Sequence, residues 1–248
     1  MKQRIHLIGI GGSGLSSIAR FLLESDCSVS GSDRVLSPLA QELSRAGARI
    51  FSGHAAGNIT GAELVIRSSA VPDDNPEVVA ARNAGIPVLK RAEFLEQLLH
   101  GKEVIAIAGT HGKTTTTAMA AWVLTHLGKD PSFIIGGVAK NMGCNAHHGT
   151  GSVFVIEADE YDNMFLGLSP DWIVLTVIEH DHPDCFPTLA DYRQAFGRFV
   201  QRLQPGGSLF ASAEDPESLA LAASNPPLTH TFTYGYASTT TYQAVHVT

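Results

Sequence analysis

The chain opens on a short apolar run, Ile5 to Ile8, that reads as a strand and meets glycines at once. From Ser13 to Glu24 the apolar positions recur at helical spacing, and Cys27 to Ser30 returns to a β-rich run. The alternation continues with a helix over Pro38 to Ala46, a strand over Glu63 to Arg67, a helix over Pro76 to Ala84 and a strand over Pro87 to Leu89. Such a rhythm predicts βαβ units, hence a mainly parallel sheet with helices on its faces. After Gly101 the pattern restarts, placing a join near residues 99–102. Glu103 to Ala108, Val153 to Glu157 and Trp172 to Val177 are predicted strands, with a helix over Lys113 to Leu127. Leu189 to Leu203 carries Tyr192, Phe196, Phe199 and Val200 on one helical face, so it is predicted to pack on that second sheet. Leu209 to Ser212 and Thr231 to Tyr234 are further strands, and the β-like stretch Tyr242 to Thr248 is left without a following partner.

Composition removes several function classes. With 44 % hydrophobic and 17 % charged residues the chain is of the soluble, globular kind. Its formal net charge is -7 and no stretch concentrates Lys or Arg, which argues against a nucleic-acid partner. No apolar run approaches the ~20 residues of a membrane span, and the N-terminus lacks the pattern of a signal peptide. Cys27, Cys144 and Cys185 have no metal-ligand spacing and fit reduced thiols in a cytoplasmic protein.

Two glycine loops carry the chemistry. Gly9-Ile10-Gly11-Gly12-Ser13-Gly14 follows a strand and opens a helix. In such a loop the backbone turns tightly and offers exposed N–H groups to a pyrophosphate. Asp33 ends the next strand about twenty residues on, where a Rossmann fold keeps its ribose-binding acid. This motif fits any nucleotide diphosphate, NAD included. The second loop, Gly109-Thr110-His111-Gly112-Lys113-Thr114-Thr115, also joins a strand to a helix. Its amides would wrap phosphates, with a Lys ammonium on the outer oxygens and a Thr hydroxyl on Mg²⁺. It departs from the strict P-loop, since Ile107 stands where the first glycine would be. Downstream lie Glu157-Ala158-Asp159-Glu160-Tyr161-Asp162 and Glu179-His180-Asp181-His182-Pro183-Asp184, each at the C-terminal end of a predicted strand. Hard oxygen ligands of this kind suit Mg²⁺ shared with substrate phosphates.

These residues resemble the Mur ligases: the phosphate loop, the Glu157-Ala-Asp-Glu run and the Asp181-His182 pair match central-domain motifs of that family. Gly9 to Gly14, Gly31-Ser32-Asp33, Gly53-His54, Ser68-Ser69-Ala70, Asn75-Pro-Glu77 and Arg91-Ala-Glu93 are similar to its first domain. The resemblance implies an α/β fold with an N-terminal Rossmann-like parallel-sheet domain over residues 1–99. A partial P-loop-type ATPase domain would follow over 100–248, with the family's C-terminal domain absent, so that the chain alone would be inactive. It implies UDP rather than NAD at the first loop, with Gly11, Gly12, Ser13 and Gly14 facing the diphosphate and Asp33, Ser68 and Ser69 near the sugar nucleotide. Residues Gly109, Thr110, His111, Gly112, Lys113, Thr114 and Thr115 would hold ATP. Thr114 and Glu157 would bind one magnesium ion and His182 a second, and Lys113, Glu157 and His182 would be catalytic. The implied reaction joins L-alanine to UDP-N-acetylmuramate at the cost of ATP, or alternatively joins a recycled murein tripeptide. Where the family commonly has Thr-Asn, Thr176 is followed by Val177. A nucleotide sensor or an oxidoreductase would have no use for the second phosphate loop and its acidic clusters.

Overall fold

A computed structural model describes residues 2–224 and 229–246. The chain forms two compact units, Met1–Leu98 with Ser132–Thr150, and Leu99–Pro131 with Gly151–Thr248.

The first unit is built on five parallel strands, β1 (Arg4–Ile8), β2 (Ser28–Asp33), β3 (Arg49–Ser52), β4 (Leu64–Arg67) and β5 (Val88–Lys90), in the order β3-β2-β1-β4-β5. Helices α1 (Ser13–Glu24), α2 (Pro38–Arg45), α3 (Pro76–Asn83) and α4 (Arg91–Leu98) complete the alternation. Strand order reverses at β1, which is where open α/β sheets gather ligands beyond the strands' carboxyl ends. Its buried core includes Ile5, Leu7 and Ile8 of β1 and Leu15, Ile18, Phe21 and Leu22 of α1, and Ile8 packs in one cluster with Val65 of β4 and Val78 and Ala81 of α3. The same unit holds an antiparallel hairpin, β7 (Ser132–Ala139) and β8 (Cys144–His147), with Ile134 opposite Ala146. It packs on α1, where Glu24 accepts from the His147 ring at 2.8 Å and from the His148 amide at 3.0 Å. The sequence reading has no element here, because Gly136 and Gly137 and a register irregularity interrupt the β pattern.

In the second unit β6 (Glu103–Ala108), β9 (Val153–Glu157), β10 (Trp172–Leu175), β11 (Ser208–Ser212), β12 (His230–Gly235) and β13 (Tyr242–Gln243) run in the order β13-β12-β11-β10-β6-β9. Helices α5 (Lys113–His126), α6 (Leu189–Val200) and α7 (Pro216–Ala223) accompany them. One expectation needs correction. The strand from Trp172 stops at Leu175 rather than Val177, because the Thr176 hydroxyl turns to the carbonyls of Ala108 and His111. Tyr242–Gln243 pairs in parallel with Tyr234 and Gly235 of the preceding strand. Val247 and Thr248 lie outside the described residues.

Helix starts divide into two kinds. Ser37, Asn75, Thr188 and Asp215 each cap a helix (α2, α3, α6 and α7) through a side-chain oxygen that accepts a first-turn amide. Three of these caps precede a proline in the first turn, a position where a missing N–H costs nothing. By contrast α1 and α5 start at Gly12 and Gly112, with no side-chain cap.

Behind the first sheet sits a wholly buried carboxylate, Glu77. It accepts from the Ser32 hydroxyl at 2.5 Å, the Asn58 amide at 2.6 Å, the Ala55 N–H at 3.2 Å and the His6 ring at 3.4 Å. Burial alone would raise its pKa, but the bonds from His6, Ser32 and Asn58 together with the His6 charge hold it down at about 2. The folded value thus lies below the ordinary 4.5, so the stabilisation is complete above that pH and is lost as pH falls toward 2. Glu77→Gln is expected to lose about 3 kcal/mol at neutral pH. Urea unfolding at pH 7 and pH 3 should show the gap to wild type narrowing on acidification; a gap independent of pH contradicts the assignment.

Candidate functional site

The first loop lies beyond the carboxyl end of β1. Gly9 takes φ +88°, and a Cβ there would stand 3.1 Å from Cβ of Ser68. Asp33, at the end of β2, accepts the Gly11 N–H at 2.8 Å, and the Ser37 hydroxyl donates to the Gly11 carbonyl at 2.8 Å. The loop is therefore held from below by two side chains. The amides of Ser13, Gly14 and Leu15 have no acceptor among the described residues. They carry the positive end of the α1 dipole. A cavity of about 250 Å³ opens beside them, lined by Gly9, Gly12, Asp33, His54, Ser68 and Asn75 among others. Of the residues the sequence nominates here, Gly12, Asp33 and Ser68 line the cavity and Gly11, Ser13 and Gly14 form its loop and helix start. Ser69 is exposed and is not part of the lining. Sequence reasoning gave no role to His54 or Arg34, both in the wall.

The second loop lies beyond the carboxyl end of β6. Gly109 has φ +138°, and any Cβ there would meet the Thr176 hydroxyl at 2.1 Å; Gly112 has φ +79°. The amides of Lys113, Thr114 and Thr115 again have no acceptor among the described residues. Lys113 folds back over the loop, with Nζ 2.5 Å from the Gly109 carbonyl and 3.2 Å from that of Thr110. It also meets Glu160, at 3.1 Å from Oε1 with hydrogen-bond geometry and at 2.9 Å from Oε2 without it. Carbonyls and carboxylate thus occupy the ammonium's donors where phosphate oxygens could do so.

Glu160 is fully buried and ties the site together. It accepts from the Tyr192 hydroxyl at 3.0 Å, and Tyr192 lies 2.8 Å from the Thr110 hydroxyl. Thr110 in turn donates to the Glu179 carbonyl at 2.7 Å and accepts the Glu179 N–H at 2.9 Å. Burial, and after it the Glu160 charge, push the Tyr192 phenol well above its usual range, so it remains a donor. Sequence reading places Tyr192 among core positions of its helix and gives Glu160 no role of its own within the acidic cluster. The acidity of the cluster was visible; which of its members faces Lys113 was not.

Among the nominated metal ligands, Thr114 and Glu157 come together, the hydroxyl donating to Oε1 at 3.0 Å. His182, nominated for a second ion, has its Nε2 3.7 Å from Glu160 and 3.9 Å from Asp181. No group of three His, Cys, Asp or Glu side chains able to hold a metal occurs among the described residues. His111 is exposed and pairs with Glu179 at 3.3 Å. Positive φ at Asp162, Asn163 and His182, all non-glycine, concentrates backbone strain around Glu160. Beside His182, the Tyr161 phenol donates to Asp184 at 2.9 Å, a bond that pushes its pKa up to about 12.

Removing Lys113 would strand a buried carboxylate, which typically costs about 3–5 kcal/mol. Lys113→Met should therefore unfold at lower urea, and Lys113→Met with Glu160→Gln should recover most of that loss. Additive losses in the double variant would contradict the pairing.

Comparison with known proteins places this geometry. Residues 4–103 match the model for the Mur ligase family, catalytic domain, and residues 107–248 match the Mur ligase middle domain. UDP-N-acetylmuramate--L-alanine ligase of Saccharopolyspora erythraea is 48 % identical over 224 residues, covering 89 % of this chain and 46 % of that protein. The protein of the same name from Rhodococcus jostii is 46 % identical, with 89 % and 45 % covered. The chain thus spans about half the length of the curated relatives it matches. Among solved structures, UDP-N-acetylmuramate-alanine ligase of Thermotoga maritima superposes with TM-score 0.83 at 34 % identity, covering 97 % of this chain and 54 % of that one. A UDP-N-acetylmuramate:L-alanyl-gamma-D-glutamyl-meso-diaminopimelate ligase from Neisseria meningitides gives TM-score 0.85 at 30 % identity, with 94 % and 78 % covered. With both domain models matched and the two glycine loops built as described, the chain belongs to the Mur ligase family.

Proposed function

We propose that this chain supplies the UDP-sugar and ATP sites of a ligase joining L-alanine to UDP-N-acetylmuramate. The observation that carries it is the pair of uncapped, glycine-started helices, each beyond the carboxyl end of a sheet strand. The first unit takes the uridine diphosphate, with its phosphates on the amides of Ser13 to Leu15. The second takes the phosphates of ATP on the amides of Lys113 to Thr115. Similarity of 48 % and 46 % to proteins named for L-alanine supports that amino acid. The likeness to the Neisseria enzyme supports a second reading, in which a peptide is added instead.

An ionised carboxylate is a poor electrophile, so the muramyl carboxylate must first become an acyl phosphate at the expense of ATP. The amine of the incoming amino acid then displaces phosphate. The protein's part is positioning and cancellation of charge rather than covalent chemistry. Lys113, released from its loop carbonyls, neutralises the transferring phosphoryl group while remaining within reach of Glu160. Thr114 and Glu157 present two hard oxygens at one point, which fits Mg²⁺ sharing its sphere with phosphate and water. When bound there, that ion would supply further charge neutralisation. His182 stands on the Glu160 side of the site, where it can serve a phosphate oxygen or a second cation. No helix among the described residues is long and apolar enough to cross a membrane.

Calorimetric titration tests the assignment. The chain should bind UDP-N-acetylmuramate and not NAD, and should bind ATP more tightly with Mg²⁺ than without it. Glu157→Gln should abolish the Mg²⁺ increment and leave the UDP-sugar affinity unchanged. Affinity for NAD, or an unchanged Mg²⁺ effect in the variant, would overturn the reading.

A further inference from the structure

Lys113 and Glu160 form an ion pair beside the second loop, the carboxylate fully buried and the lysine side chain 13 % exposed. The ammonium stands 3.1 Å from Oε1 and 2.9 Å from Oε2, and Oε1 also accepts from the Tyr192 hydroxyl at 3.0 Å. Oε2 is buried without a hydrogen-bond partner of its own. Its closeness to the ammonium is therefore an attraction of charge more than a directed bond. A carboxylate taken wholly out of water keeps its charge only beside a cation, so Glu160 and Lys113 depend on each other. The lysine's positive charge is thus cancelled before any ligand arrives. Nearby charges do not restore it. The Glu157 carboxylate lies 3.0 Å from the Thr114 hydroxyl, and Glu179 pairs with His111 at the exposed rim of the loop. What the empty loop offers an anion is the set of helix-start amides from Lys113 to Thr115.

A triphosphate brought to those amides must compete with Glu160 for the ammonium. It must also settle close to a buried carboxylate, where like charges repel with far less screening than in water. A divalent cation carried by the phosphates cancels much of the ligand's charge and relieves that repulsion. We infer that Glu160 is a specificity residue, which makes this site select a metal-complexed nucleoside triphosphate over the bare one. Thr114 and Glu157 would hold the cation, whereas Glu160 sets how strongly the site needs it. The role belongs to the charge of Glu160 and to its burial, since an exposed carboxylate would be screened by solvent and salt. Discrimination then comes from a charge placed against the wrong ligand as well as from contacts with the right one. This inference rests on the reading of the second loop as the ATP site.

Titration of the chain with ATP in EDTA and with ATP in Mg²⁺ tests it, using wild type, Glu160→Gln and Glu160→Asp. Glu160→Gln keeps a carbonyl oxygen for Lys113 and Tyr192 but no charge. It should bind metal-free ATP about tenfold more tightly than wild type, the order expected from removing one like charge a few ångströms away. Its affinity for ATP with Mg²⁺ should change much less, so the advantage conferred by the metal shrinks. Glu160→Asp keeps the charge and should keep the wild-type preference for the metal complex. Metal-free affinity that is unchanged or weaker in Glu160→Gln, or raised equally in Glu160→Asp, would overturn the role of Glu160 alone. Failure of wild type to bind ATP even with Mg²⁺ would remove the ATP-site reading and this inference with it. Nitrogen NMR of the lysine ammonium groups in wild type needs no variant to fold. It should resolve Lys113 in the free chain, its protons protected from exchange by the carboxylate, and should show the resonance shifted by ATP with Mg²⁺. A Lys113 ammonium that is unprotected in the free chain overturns the inference.

Discussion

The structure depends on backbone amides left without partners at the starts of α1 and α5. An α-helix begins with several N–H groups that have no intrahelical acceptor, and most helices in this chain satisfy them with a Ser, Asn, Thr or Asp cap. The two helices that follow the central strands β1 and β6 do not. Leaving them uncapped forgoes roughly 0.5–2 kcal/mol at each site. What is gained is two patches of positive potential, each of the kind that favours an anion. The glycines are a consequence of that geometry. Gly9, Gly109 and Gly112 take left-handed φ, and Gly109 has no room for a Cβ against Thr176.

Each loop rests on a buried carboxylate that takes none of the free helix-start amides. Glu77 holds Ser32 and, through it, His54 in the wall of the first cavity. Glu160 holds Lys113 and, through Tyr192, Thr110 of the second loop. A buried charge of this kind contributes to placement more surely than to stability, because its desolvation offsets much of what its partners return. The two differ in how fully they are satisfied. Four donors converge on Glu77, whereas Glu160 keeps Oε2 outside hydrogen-bond geometry, which leaves Lys113 able to exchange its partners.

Much of this was legible in the sequence because glycine spacing and strand-to-helix punctuation are local signals. Both loops and Asp33 at its strand end follow from them, whereas the pairing of Thr114 with Glu157 was implied only by the family resemblance. Ser37-Pro38, Asn75-Pro76 and Asp215-Pro216 each mark a helix start, though the helix after Asp215 was not expected. The 132–150 hairpin was not legible, since Gly136 and Gly137 break its alternation and its contacts lie with α1, more than a hundred residues earlier. Glu160 and Tyr192 were illegible for another reason. Their roles arise only when the turn after β9 and helix α6 are brought beside Lys113, and an apolar stripe does not reveal which hydroxyl it carries.

The account's central claim is that each uncapped helix start is a phosphate site of its own. Amide hydrogen exchange of the 248-residue chain, resolved residue by residue by NMR, tests it most directly. UDP should slow exchange at Ser13, Gly14 and Leu15 and leave Lys113 to Thr115 unchanged, while ATP with Mg²⁺ should slow Lys113, Thr114 and Thr115 and leave the first set unchanged. Protection of neither set by its ligand, or of both sets by one ligand alone, would contradict the claim.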